Sequence, residues 1–148
     1  MKMISPSNVF SNGEILSCAK CGKNLLENRT GNIAFEKDVH YYNLNGKTRY
    51  INVFCTCKEC NSSLEEGPRS RGNYTSWLDI SDVMIPYEYL KSVFALMNNC
   101  RTENVEVSDT AYEQYKNILL AIAPYVTRNM DPDELERESI LAQLPEGL

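Results

Sequence analysis

The sequence predicts an α+β protein, with a cysteine-rich N-terminal half built on a β-hairpin and a small helical module after it. Three observations carry that expectation. Two Cys-x-x-Cys pairs, Cys18/Cys21 and Cys57/Cys60, bracket a stretch that reads as two strands. Asn45-Gly46 lies between those strands, and both residues tolerate the positive φ of a tight hairpin turn. Beyond residue 76, apolar residues return at helical spacing.

In chain order, residues 1–16 read as an irregular lead-in, with Ser5-Pro6-Ser7-Asn8 and Asn12-Gly13 as turn signals. The first cysteine pair follows, then candidate strands over Asn32–Tyr42 and Lys47–Phe54, the second running straight into Cys57. Residues 1–66 are expected to form the first domain. Residues 67–76, rich in Gly, Pro, Ser and Arg, are expected to link it to a helical module over 77–148. Trp77–Ile85 reads as a short extended segment. Pro86 suits the first turn of a helix, where its missing N–H is harmless, and Tyr87, Leu90, Phe94 and Met97 give that helix an apolar stripe to about Asn99. Ser108 or Asp109 can cap a second helix, whose stripe is Tyr112, Tyr115, Ile118, Leu119 and Ile122 and whose end is expected at Pro124. Asp131-Pro132-Asp133-Glu134 has the form of a capping box for a third, acidic helix or tail. Both stripes are expected to be core.

A chain of 148 residues makes one ordinary domain or two small ones, and 43% hydrophobic with 24% charged residues is a globular composition. No apolar run approaches the roughly 18–20 residues of a membrane span, so no membrane partner is expected. Met1–Phe10 has no apolar core of a secretory signal, which points to a cytoplasmic location. The net charge of −5 is uneven. Residues 1–75 hold ten Lys/Arg and seven Asp/Glu, while residues 76–148 hold five and thirteen. Neither half has the basic excess of a protein whose affinity is driven by phosphate contacts.

Six cysteines in a reducing compartment are not expected to be three disulfides. Paired as Cys-x-x-Cys, two thiolates can take adjacent corners of a tetrahedron, so Cys18, Cys21, Cys57 and Cys60 are expected to hold one structural Zn²⁺. Both pairs fit Cys-x-x-Cys-[Gly/Asn]-x-x-Leu, as Cys18–Leu25 and Cys57–Leu64. Gly22 and Asn61 are residues that adopt a left-handed conformation cheaply, which would turn backbone N–H groups toward the sulfurs. Cys55 is an alternative to Cys57, which is preferred because it restores the spacing of the first pair. Cys55 is then a buried small hydrophobe or a supporting thiol, and Cys100 a core residue. This repeated pattern resembles the two knuckles of a zinc ribbon, over roughly residues 16–66.

A looser resemblance is to HNH nucleases of the ββα-metal, treble-clef type. Asp38-Val39-His40 stands for the acidic-His pair, Asn52 for the loop asparagine five before Cys57, and Cys60-Asn61 for the ending. That resemblance implies His40 as general base beside a divalent ion that polarises the scissile phosphate. The chain departs from it in Val39, which separates the pair, in having no second histidine, and in Gly67-Pro68 early in the helix that should follow Cys60.

Lys47, Arg49 and Lys58, with Tyr41 and Tyr50, are the candidate nucleic-acid surface, combining cations for phosphate with rings for stacking. Without a phosphate-binding loop, nucleophile elbow or carboxylate dyad, no small-molecule substrate is expected. The leading expectation is a non-enzymatic adaptor or regulator that binds a protein or nucleic-acid partner. A nucleic-acid-binding regulator of transcription or replication, and a nuclease using His40, are the alternatives.

Overall fold

The computed structural model describes residues 16–128. The lead-in before residue 16 and the helix expected from Asp131 lie outside the described residues. The elements run β1 (Asn32–Lys37), α1 (Val39–Asn45), β2 (Thr48–Thr56), α2 (Asn61–Ser70), β3 (Tyr74–Asp79), α3 (Ile80–Val83), α4 (Pro86–Asn99), β4 (Val105–Val107) and α5 (Asp109–Arg128). They form an α+β fold around a four-stranded sheet of order β3-β1-β2-β4. The neighbours β1/β2 and β1/β3 are antiparallel, and β4 runs parallel to β2.

The expected strand over Asn32–Tyr42 stops at Lys37 because Asp38 starts a helix. Its carboxylate accepts the Tyr41 N–H at 3.0 Å, the bond by which a side-chain oxygen caps a helix N-terminus. Gly46, with φ of 68°, donates its N–H to the Tyr42 carbonyl as the left-handed C-cap. Asn45-Gly46 is therefore the end of α1, and β1 and β2 are joined through a helix, with a register shift between Glu36 and Lys37.

Residues 67–76, expected to be a linker, contain the end of α2 and the start of β3. Pro68 sits inside α2, buried, and its carbonyl accepts the N–H groups of Arg71 and Asn73 as the chain turns into β3. β3 then pairs along its whole length with β1, from Asn32↔Asp79 to Lys37↔Tyr74. Strands from both sides of the expected division thus share one sheet.

Alternation sorts the sheet residues onto two faces. Ile33, Phe35, Val53 and Cys55 share the face covered by α4 and α5, where the rings of Phe35 and Tyr115 lie 5.0 Å apart. Ala111, Tyr115, Ile118, Leu119, Ile122 and Val126 of α5 join this core. Each large side chain so buried contributes roughly 1.5–3 kcal/mol. Ser108 caps α5, its hydroxyl accepting the Ala111 N–H at 3.1 Å. The helix passes through Pro124 to Arg128, because Ala121, Ile122, Ala123 and Val126 remain buried on either side of the proline. Tyr112, expected in the core stripe, is exposed, with Lys116 over its ring.

α4 spans the residues its sequence predicts, with Pro86 in its first turn, but its stripe faces the other way. Tyr87, Leu90, Phe94 and Met97 are 72%, 54%, 62% and 59% exposed. Tyr89, Val93 and Leu96 face the fold instead, and no residue of the helix is fully buried. Cys100, expected in the core, is exposed just past its end.

Candidate metal centre and the surfaces around it

Cys18 and Cys21 sit on a knuckle closed by its own backbone. The Gly22 N–H donates to the Cys18 carbonyl at 3.0 Å, Cys18 N–H to Lys23, and Leu25 N–H to Leu16. Gly22 takes the left-handed conformation, with φ of 74°, and Leu25 packs beneath, fully buried. The second pair is built differently. Cys57 follows the end of β2, and Cys60 leads directly into α2, its carbonyl accepting the Leu64 N–H at 3.0 Å. Asn61, expected to turn left-handed like Gly22, is instead the first residue of that helix. Its carboxamide oxygen accepts from Asn32 Nδ2 and Thr56 Oγ1, which ties the helix start to β1 and β2. Lys20 bonds to Ser63 and so bridges the two halves of the site.

The four sulfurs of Cys18, Cys21, Cys57 and Cys60 all lie within 4.8 Å of one another, and Cys21 Sγ is 3.8 Å from Cys57 Sγ. A tetrahedral ion with metal–sulfur bonds of about 2.3 Å sets its thiolates about 3.8 Å apart, so the donor set fits such an ion. Burial pushes the Cys18 thiol up, but N–H groups of Cys21, Cys57 and Lys20 outweigh it and bring Cys18 down to about 6. Cys60 is pushed up to about 12, first by its hydrogen bond with Cys57, then by burial and the neighbouring sulfurs. Packed this closely, the four cannot all ionise without a cation. A divalent ion held by all four thiolates would reverse that balance and give a site of net charge −2. Cys55 stays outside the set. It is buried, burial pushes its thiol up to about 12, and its carbonyl accepts the Ala19 N–H at 2.8 Å.

On the opposite sheet face lies a polar cluster that spacing did not reveal. Glu36, with 1% of its side chain exposed, accepts from Arg71 Nε at 3.0 Å and Nη2 at 2.7 Å, and from Asn73 Nδ2 at 2.6 Å. Asn52 adds a longer bond at 3.4 Å and accepts in turn from Gln114 Nε2. Burial pushes the Glu36 carboxyl up, yet Arg71 and the amides hold it below its usual value. The available signal was Glu36 alternating with Ile33 and Phe35 in a strand, which places it on the face away from the core.

The proposed nucleic-acid residues are dispersed. Arg49 stacks on Tyr41, 5.1 Å from the ring centroid, and lies 4.0 Å from Glu106. Lys47, two residues before Arg49, is exposed. Tyr50 follows Arg49 in the strand and so points to the other face, where it meets Phe35. Lys58 lies beyond the far end of β2, bonded to Asp79 at 2.9 Å and Asn32 at 2.8 Å. Of the nuclease residues, His40 is exposed on the first turn of α1, Asp38 caps that helix, and Asn52 belongs to the Glu36 cluster. Among the described residues, the four cysteines are the one group of His, Cys, Asp and Glu placed to hold a metal ion. Also among them, no helix is long and apolar enough to cross a membrane.

Compared with protein-family models, curated proteins and solved structures, the chain has no significant match among any of the three.

Proposed function

We propose that this chain is a zinc-stabilised, non-enzymatic adaptor that engages a protein partner through the outer face of α4. One observation carries the reading: Ile85, Tyr87, Leu90, Phe94 and Met97 are all exposed, and the last four follow the i, i+3, i+7, i+10 spacing of one helical stripe. Their exposed parts add up to about 500–700 Å², at or above the largest apolar patch of an ordinary monomer. A helix presenting anchors at this spacing fits a partner's apolar groove or a facing helix. The metal is zinc in this reading because a closed four-thiolate tetrahedron is its usual structural site. Its place is architectural: it joins the knuckle, the end of β2 and the start of α2, in the order of the treble-clef resemblance rather than as two matching ribbon knuckles.

The test is an affinity purification from the native host with wild-type chain and with Leu90→Lys/Phe94→Lys, each with and without nuclease treatment. Proteins recovered by the wild type, lost with the variant and resistant to nuclease are the expected result. Equal recovery by both chains sinks the reading, and recovery that disappears with nuclease transfers it to nucleic acid.

A further inference from the structure

The two edges of the sheet are finished differently. Beyond the three residues of β4, two outward groups of β2 find partners: Val53 N–H donates to Gln114 Oε1 at 2.6 Å, and the Cys55 carbonyl accepts from Ala19. β3 forms the other edge. The Ile80 N–H donates to the Gly31 carbonyl at 3.0 Å, which fixes the phase of the β1/β3 ladder. Leu78, Ser76 and Tyr74 therefore direct their backbone groups to β1, and Thr75 and Trp77 direct theirs outward. Among the described residues those outward groups meet no other backbone. The edge is six residues long, regular against β1, and has no proline, lysine or bulge, the usual devices that keep strands from pairing.

Beside this edge, under α4, lies a cavity of about 280 Å³. Tyr115 is buried at its floor, with Phe35 and Tyr50 as further ring walls, while Leu78 and Ala95 are exposed at its rim next to Trp77. No charged side chain lines it.

We propose that the β3 edge and this cavity form a second docking site, for an extended strand of a partner protein that seats a large apolar side chain beneath α4. Outward N–H and C=O groups require a strand backbone, and an uncharged, ring-lined cavity requires a neutral side chain. Asp79 is already neutralised by Lys58. Lys37, opposite Tyr74, turns its ammonium over the Tyr50 ring of β2, away from the edge, so Tyr74–Leu78 present an uncharged edge that suits an uncharged incoming strand. This site does not use the outer face of α4. An adaptor with both would bridge two proteins.

The test uses the full, zinc-loaded chain and a fluorescent, acetylated nine-residue peptide of alternating threonine and valine, with phenylalanine at its centre. Binding is read by anisotropy and by amide hydrogen exchange. Slowed exchange at Thr75 and Trp77 is expected, with affinity falling at least about ten-fold in Thr75→Pro, which removes an outward N–H, and in Ala95→Trp, which closes the cavity mouth. Zinc content and far-UV circular dichroism confirm folding, and Ala95→Trp carries the test if the proline variant fails to fold. No binding at millimolar peptide, binding without protection of those amides, or undiminished affinity in the folded variants overturns the proposal. So does slow exchange at Thr75 and Trp77 in the chain alone: if independent of concentration, the chain's own residues cover the edge, and if concentration-dependent, a second copy does.

Discussion

Beside the four cysteines, Asn32, Thr56 and Asn61 exchange hydrogen bonds, Lys58 closes on Asp79, and Leu25 and Leu26 are fully buried. The 14 residues of α4 include none that is buried, although the helix is rich in aromatic and aliphatic side chains. α4 is held mainly from one side, by Tyr89, Val93 and Leu96 and by the Tyr89 hydroxyl, which donates to the Leu119 carbonyl at 2.7 Å. The difference separates two uses of apolar and polar groups. Near the cysteine cluster they are matched to one another and tie the surrounding segments together. On α4 they are left unmatched, which costs solubility unless another surface covers them.

The strongest way to break the contrast is to remove the metal. Structural zinc supplies apparent binding free energies of about 10–16 kcal/mol to small domains, comparable to or larger than the whole stability of a typical one. The site joins residues before β1, at the end of β2 and at the start of α2, so its loss releases three segments at once. Chelation, or Cys57→Ser, is expected to abolish the cooperative thermal transition followed by far-UV circular dichroism. Elemental analysis of the purified chain is expected to return one zinc per chain. An unchanged transition after verified metal loss would show that the polar networks suffice without the ion.

Those networks were the less legible part of the molecule. The cysteine spacing, Pro86 in the first turn of α4 and the Ser108 cap are local signals, and the fold uses them as the sequence suggests. Asn45-Gly46 misleads because a left-handed glycine serves a helix C-cap as well as a hairpin turn, and only the Asp38 cap upstream decides between them. Gly67-Pro68 looks like a break, but α2 runs through it, with Pro68 buried. α4 carries apolar residues on two sides, so periodicity alone could not say which side meets the sheet. Neither could it place Arg71, which meets Glu36 across 35 residues of sequence in a fold where β3 pairs with β1.

A smaller effect is expected at that pair. Arg71→Ala leaves a buried carboxylate with only amide donors. A hydrogen bond to a charged group contributes about 1.5–3 kcal/mol, and because Arg71 is itself half exposed, water replaces part of it and the lower end applies. Urea denaturation at pH 7 measures the loss. The carboxyl of Glu36 is held below its usual 4.5 in the folded chain, so ionised Glu36 stabilises the fold above that pH. This contribution disappears as pH falls through the folded-state value. Comparing the acid limb of stability in wild type and Glu36→Gln isolates it: the variant is expected to be less stable at pH 7 and to lose less on acidification. Parallel acid limbs would assign the wild-type loss to other carboxylates.

The smallest effect on folding is expected where the apolar surface is largest. Leu90 and Phe94 project from α4 with more than half of their surface in solvent, so replacing both with lysine removes little buried area and leaves Tyr89, Val93 and Leu96 in place. Lysine is as good a helix former as leucine and better than phenylalanine, and Glu88, already 3.7 Å from Lys91, lies within the same turns. Stability should therefore change by less than about 0.5 kcal/mol, as at other surface sites, while solubility rises. Chemical denaturation of the double variant measures this directly. A loss of several kcal/mol would mean that the stripe is already covered, by residues of the same chain or by a second copy. Sedimentation at two concentrations separates those cases. An unchanged midpoint, with partner binding lost, would place the outer stripe of α4 outside the folding core and make it a surface kept for recognition.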